Sequence, residues 1–195
     1  MTCIVGVEHE GNVFIGGDSA GTNERLDLFV RADEKVFSKD NMIFGFSGSF
    51  RMGQLLRYSF FPPPQAIGED DMAYLCGPWV SSLIECLTNS GCATIKDNEI
   101  GVDGDFLIGF NGHIYNVQPD FQISSIVGPY DACGCARNYA LGVMSVLDDV
   151  DTIGPEEKII VALESAEKFS AAVRGPFVVK QLSIDEVDFA FTEVG

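Results

Sequence analysis

Positive charge is scarce in this chain: 12 Lys and Arg stand against 29 Asp and Glu, a formal net charge of -17. Phosphate backbones are held by clustered Lys and Arg, so this composition excludes nucleic acid as a partner. Anionic membrane surfaces are disfavoured on the same ground, and the acidity reads as a solvated surface that keeps the protein soluble. Long apolar runs are lacking too. None approaches the roughly 20 residues needed to cross a bilayer, so no membrane association is expected. The first residues, MTCIVGVEHEG, have no basic stretch and meet Glu8 and Glu10 early. That is unlike a secretory leader, and the expected location is the cytoplasm. Histidine is limited to His9 and His113, far apart in the chain. Cys133-Gly134-Cys135 is too tight for a zinc knuckle and has no second Cys or His pair beside it. The six cysteines, Cys3, Cys76, Cys86, Cys92, Cys133 and Cys135, therefore read as reduced thiols. Neither a metal nor another cofactor is expected.

What is present suits a folded domain. With 195 residues and 46% hydrophobic content the chain can bury a sizeable core. No linker or internal repeat divides it, so residues 1–195 are expected to form one domain. Thr2-Cys3-Ile4-Val5-Gly6-Val7 is rich in β-branched residues, Glu10-Gly11-Asn12 has turn chemistry, and Val13-Phe14-Ile15 resumes a strand. Together they predict a hairpin at the very start, with Gly16-Gly17 leading to Asp18. Residues 19–33 read as polar and irregular. Lys35-Val36-Phe37 and Met42-Ile43-Phe44-Gly45-Phe46 predict a second strand pair. Apolar spacing predicts helices over 52–60 and 70–87, on either side of the extended run Pro62-Pro63-Pro64. Residues 105–110 and 113–117, joined by Asn111-Gly112, carry a hairpin signature, and 121–127 adds a short strand. Helices over 139–147 and 155–169 follow, then strands at 177–179 and 187–191. This grouping predicts an α+β fold, a four-layer αββα sandwich with two sheets stacked between helix layers.

Several segments share one register with a known family. Thr2-Cys3-Ile4-Val5-Gly6-Val7, then Gly11, then Gly16-Gly17-Asp18-Ser19 resembles the opening of proteasome β subunits and of the HslV-type protease. Those N-terminal-nucleophile (Ntn) hydrolases start their first strand on a processed threonine. Lys35-Val36 is similar to the family's lysine-bearing strand, allowing one inserted residue, and Gly45-Phe46-Ser47-Gly48 to its glycine turn. Ala132-Cys133-Gly134-Cys135, followed by Tyr139-Ala140-Leu141-Gly142, looks like its glycine-rich turn into a helix. The resemblance spans nearly the whole chain and is most specific near the start. It implies that Thr2 becomes the nucleophile once Met1 is removed, with Lys35 beside its hydroxyl and Asp18 keeping Lys35 charged. The Gly48 N–H would serve as an oxyanion donor, and Thr22 and Phe50 would line a substrate groove.

The residue types suit that chemistry. A threonine hydroxyl is a weak nucleophile near neutral pH and needs a base beside it. A free α-amine, with a reference pKa of about 7.7–8.0, can be that base. A neighbouring ammonium favours deprotonation, and one oxyanion donor is worth roughly 3–4 kcal/mol. Two departures stand out. The family's serine in the glycine-rich turn is here Cys135, a weaker hydrogen-bond donor. Its Asp-x-x-Ser-Gly segment aligns with Ser170-Ala171-Ala172-Val173-Arg174-Gly175, which turns the acid into Ser170 and the serine into Val173. In the family those groups hold the terminal amine.

The resemblance thus implies a threonine-type peptidase acting on peptides or unfolded proteins, in a self-assembled homo-oligomer with an ATPase partner. The departures leave open a non-catalytic structural or assembly subunit of the same fold, including a virus-encoded one. A small-molecule amidase or acylase of the Ntn class shares the nucleophile and stays open as well.

Overall fold

A computed structural model describes residues 2–23, 25, 27–96 and 99–183. Alternating side chains along apolar strands build two sheets with both faces covered. The first sheet has the order β12-β1-β2-β13, from β1 (Ile4–His9), β2 (Asn12–Gly17), β12 (Tyr130–Cys133) and β13 (Val178–Leu182). The second has the order β11-β10-β9-β6-β5, from β5 (Val36–Lys39), β6 (Met42–Phe46), β9 (Phe106–Phe110), β10 (His113–Val117) and β11 (Ile123–Ser125). All these pairings are antiparallel. Short hairpins β3 (Ala20–Thr22)–β4 (Leu28–Val30) and β7 (Thr94–Lys96)–β8 (Glu99–Gly101) stand apart.

Side-chain alternation explains the layering, because successive strand residues face opposite sides. Ile4, Val13, Ile15, Ile43, Leu107 and Ile114 form the cluster between the sheets. From β9, Phe106, Ile108 and Phe110 turn the other way. They pack under α1 (Phe50–Tyr58) and α3 (Val80–Asn89), against Leu55, Leu56, Trp79 and Leu83. From β1, Val5 and Val7 face α4 (Arg137–Leu147) and α5 (Pro155–Phe169), against Ala140, Met144, Ile159 and Leu163. The order is helices, sheet, sheet, helices. Helix ends follow ordinary capping: the Ser49 hydroxyl accepts the Met52 N–H, and Pro155 with Glu156 and Glu157 opens α5.

The structure differs from the sequence expectations in several places. Residues 19–33, read as irregular, contain the β3–β4 hairpin, whose three-residue strands are too short to show a period. The helix expected over 70–87 is broken. α2 (Asp71–Tyr74) gives way to a π-helical turn, Leu75–Trp79, before α3 runs on to Asn89. Pro78 lies in that turn; a proline lacks the N–H and crowds the carbonyl four residues back, which the wider turn relieves. Residues 132–133, read as turn, end the strand β12, and β7–β8 was not expected. The short strand expected over 121–127 is confined to 123–125. The strand expected at 187–191 lies outside the described residues.

Candidate active site

Strand register gathers the site. Ile4 pairs with Gly17, so Thr2 before β1 and Asp18 after β2 emerge side by side. Val36 pairs with Gly45, which puts Lys35 and the Ser47-Gly48 turn at one end of the second sheet. Ile4 also pairs with Cys133, bringing Gly134 and Cys135 to Thr2.

On the hydroxyl side of Thr2 the groups are polar and buried. The Lys35 ammonium donates to Thr2 Oγ1 at 2.9 Å and to Asp18 Oδ1 at 3.0 Å. Thr2, Asp18 and Lys35 are each only 2% exposed, so bulk water cannot screen these contacts. Asp18 is braced further: Oδ1 accepts the Cys3 N–H at 3.0 Å, and Oδ2 accepts those of Ala20 at 2.9 Å and Arg174 at 3.4 Å. The ammonium and the three backbone donors fix the position of this carboxylate. Burial pulls the Lys35 pKa below its ordinary range, and the Asp18 charge opposes that shift. The buried Cys3 thiol is pushed up to about 12, first by burial and then by Asp18.

Gly48 occupies left-handed backbone, φ +86, and a Cβ there would stand 2.5 Å from the Asp103 carbonyl oxygen. Only glycine fits both demands. The flanking N–H groups are taken, Ser47 by the Asp105 carbonyl at 2.9 Å and Ser49 by the Asp103 carbonyl at 2.8 Å. Among the described residues the Gly48 N–H has no such partner, which leaves it available to an incoming oxygen. Phe50 opens α1 with its ring centroid 5.8 Å from the Lys35 ammonium and 5.9 Å, edge-on, from Phe46. A cavity of about 90 Å³ opens along Phe46, Phe50, Gly53 and Arg57. Thr22 lies farther along, at the end of β3 opposite Leu28, and the structure ties it to none of Asp18, Lys35 or Gly48.

The amine side is built from softer groups. The Thr2 N–H donates to Cys135 Sγ at 3.4 Å, and that thiol lies 3.7 Å from the Thr2 carbonyl oxygen, which also accepts the Ala136 N–H at 3.3 Å. Gly134 (φ +92) passes so close that a Cβ would stand 2.5 Å from the Thr2 oxygen. Val173 is fully buried in an apolar cluster with Cys3, Val5, Ala132 and Ala136. Ser170 closes α5, and its hydroxyl accepts the Ala172 N–H at 3.2 Å, a local bond. Thus Thr2, Asp18, Lys35 and Cys135 are brought into contact, Gly48 is set on the adjoining turn, and Ser170 is engaged elsewhere.

Sequence reasoning missed two supports, the Arg174 main chain at Asp18 and Asp105 beneath the Ser47 turn. Arg174 acts through its main-chain N–H, and Asp105 through its carbonyl at Ser47, groups that leave no signature in residue type. Among the described residues no cluster of His, Cys, Asp or Glu could hold a metal ion, and no helix is long and apolar enough to cross a membrane.

No protein-family model and no curated protein matches this chain. Solved structures do. Thiobacillus denitrificans BPH matches with a TM-score of 0.78 at 22% identity, covering 94% of this chain and 100% of that one. Its complex with epoxomicin matches equally, at 20% identity over 93% of this chain and 100% of that one. Eukaryotic HslV from Trypanosoma brucei has a TM-score of 0.69 at 16% identity, over 93% of this chain and 99% of that one. Anbu (ancestral beta-subunit) from Yersinia bercovieri gives 0.63 at 12% identity, over 93% and 81%. The fold is therefore the proteasome-type Ntn sandwich.

Proposed function

We propose that this chain, once Thr2 is its first residue, is a threonine-type Ntn hydrolase that cleaves amide bonds. The observation that carries this reading is the Lys35 ammonium, buried and shared between Thr2 Oγ1 and Asp18. In the proposed reaction the Thr2 amine takes the hydroxyl proton while Oγ1 attacks the substrate carbonyl. Lys35 stabilises the developing alkoxide, and the Gly48 N–H donates a hydrogen bond to the oxyanion. The amine then passes its proton to the leaving nitrogen, the C–N bond breaks, and an ester on Thr2 remains. Water, deprotonated by the same amine, hydrolyses that ester and restores Thr2. Cys135 Sγ would hold the amine in place. The cavity beside Phe46 and Phe50, with Thr22 farther out, would receive part of the substrate.

The reading includes residues 1–195 as one domain, peptides or unfolded proteins as substrates, a homo-oligomer and an ATPase partner. Likeness to an HslV and to Anbu, described as an ancestral beta-subunit, supports the homo-oligomer. Mass spectrometry tests the core claim. Purified protein should have lost Met1 and should gain one adduct per chain from a peptide epoxyketone, which Thr2→Ala should not. Retention of Met1 together with no adduct would sink the hydrolase.

One observation favours a second reading, a non-catalytic subunit of the same fold. Where the family has groups that hold the amine, Val173 is sealed in an apolar cluster and Ser170 is bonded locally. Full biological function in Thr2→Ala would select that reading.

A further inference from the structure

The two turns that flank Thr2 are anchored on one residue, Asp105. It immediately precedes β9, whose Phe106 pairs with Phe46, so the strand register delivers it beneath the turn that carries Gly48. Its carbonyl oxygen accepts the Ser47 N–H at 2.9 Å. Its carboxylate reaches the other way: Oδ2 accepts the Gly134 N–H at 3.3 Å and lies 3.8 Å from the Arg137 guanidinium. The Gly134 turn in turn grips Thr2, through the Ala136 N–H and the Cys135 thiol. The Asp105 side chain is only 15% exposed, so its bond to Gly134 has little competition from water.

We propose that Asp105 is a positioning residue for the amide hydrolysis described above. Its main chain fixes the turn bearing the oxyanion donor, and its carboxylate fixes the turn that holds the Thr2 amine. One residue thereby sets the distance between base and oxyanion site across two sheets. The inference rests on Thr2 being the nucleophile. Asp105 meets the substrate at no point in this scheme; it acts through the turns. Misplacing a catalytic group by about 1 Å can cost on the order of 10²-fold in rate, and a freed Gly134 turn permits a shift of that kind.

The test compares Asp105→Asn, Asp105→Glu, Arg137→Ala and Thr2→Ala in the full chain beginning at Thr2, with kcat and KM measured on a peptide amide. Asn keeps an acceptor for the Gly134 N–H at the same reach but loses the charge. Glu keeps the charge and moves the acceptor by about one methylene. Positioning predicts that Asn and Arg137→Ala stay within about 3-fold of wild type, while Glu loses about 10- to 100-fold in kcat at nearly constant KM. A purely electrostatic role predicts the reverse order. Because both Asp105 variants are conservative, the comparison does not depend on a variant that fails to fold. Glu matching or exceeding Asn, or an effect confined to KM, overturns the role of Asp105 while leaving the hydrolase standing. Wild-type activity no higher than that of Thr2→Ala defeats the hydrolase and this inference with it.

Discussion

The two sides of Thr2 are built on different principles. At the hydroxyl, Lys35 and Asp18 form a buried ion pair drawn from both sheets, with every charge answered. At the nitrogen, the partner is the exposed Cys135 thiol, and Val173 lies in the apolar cluster that also holds Cys3. The difference teaches how each side tolerates change. A buried charge pair stands or falls as a unit, because loss of one member leaves the other uncompensated. Neutral hydrogen-bond partners carry no such penalty, so a serine can give way to Val173 or Cys135 without stranding a charge.

The largest effect is expected from Lys35→Met. It leaves the Asp18 carboxylate buried with backbone donors only, at Cys3, Ala20 and Arg174. Stability to urea should fall by about 3 kcal/mol, and amide hydrolysis by about 10³-fold, within the range for losing a group that assists proton transfer. A stability change under 0.5 kcal/mol would break the contrast, since it would show the pair to be as dispensable as the amine's partners.

That asymmetry also explains what could be read from the sequence. The hairpin from Thr2 to Gly17 was legible because β-branched residues and turn chemistry coincide there, and register then fixes where Asp18 must be. Lys35 and Gly48 were legible only through the family resemblance, and register sets both at one end of the second sheet. The helix expected over 70–87 ran straight through Pro78, whose consequence, a π-helical turn rather than a stop, depends on packing of Leu75 and Trp79 into the core. The β3–β4 hairpin is too short for periodicity to register. The support at Arg174 escaped because a main-chain group looks alike in every residue, and Asp105 because its carboxylate meets the Gly134 turn only through tertiary register. What identity encodes is the hydroxyl side; what tertiary register encodes is the shell around it.

A smaller effect is expected at Cys135. Cys135→Ala removes the sulfur that the Thr2 nitrogen contacts at 3.4 Å, a weak bond worth about 1 kcal/mol. The loss in kcat should be about 5-fold, read with a fluorogenic peptide amide. Cys135→Ser restores a stronger hydrogen-bonding group and should match or exceed wild type. A loss approaching that of Lys35→Met would show that the amine side is as indispensable as the hydroxyl side.

Near neutrality the smallest effect belongs to protonation, and it separates the two sides by sign. The Cys3 thiol has its pKa raised from 9.0 to about 12 in the folded chain. The folded state then keeps a proton that the unfolded chain gives up, so this stabilising contribution is complete below pH 9 and is lost as pH rises toward 12. Lys35 shifts the opposite way, lowered from 10.5 by burial. Below 10.5 the unfolded chain holds that proton more tightly, so the Lys35 contribution makes stability rise as pH climbs toward 10.5. Other buried groups, Cys133 and Tyr74 among them, add to the alkaline fall, so the two residues must be isolated by difference. Urea unfolding of wild type, Cys3→Ala and Lys35→Met at pH 8, 9, 10 and 11 does this. The wild-type-minus-Cys3→Ala curve should be flat to pH 9 and then fall, by at most about 1.4 kcal/mol per pH unit. The wild-type-minus-Lys35→Met curve should rise toward pH 10.5. Parallel curves for wild type and Cys3→Ala would mean that burial, with the Asp18 carboxylate, does not hold the thiol protonated. The apolar cluster that holds Cys3 and Val173 would then be open to water.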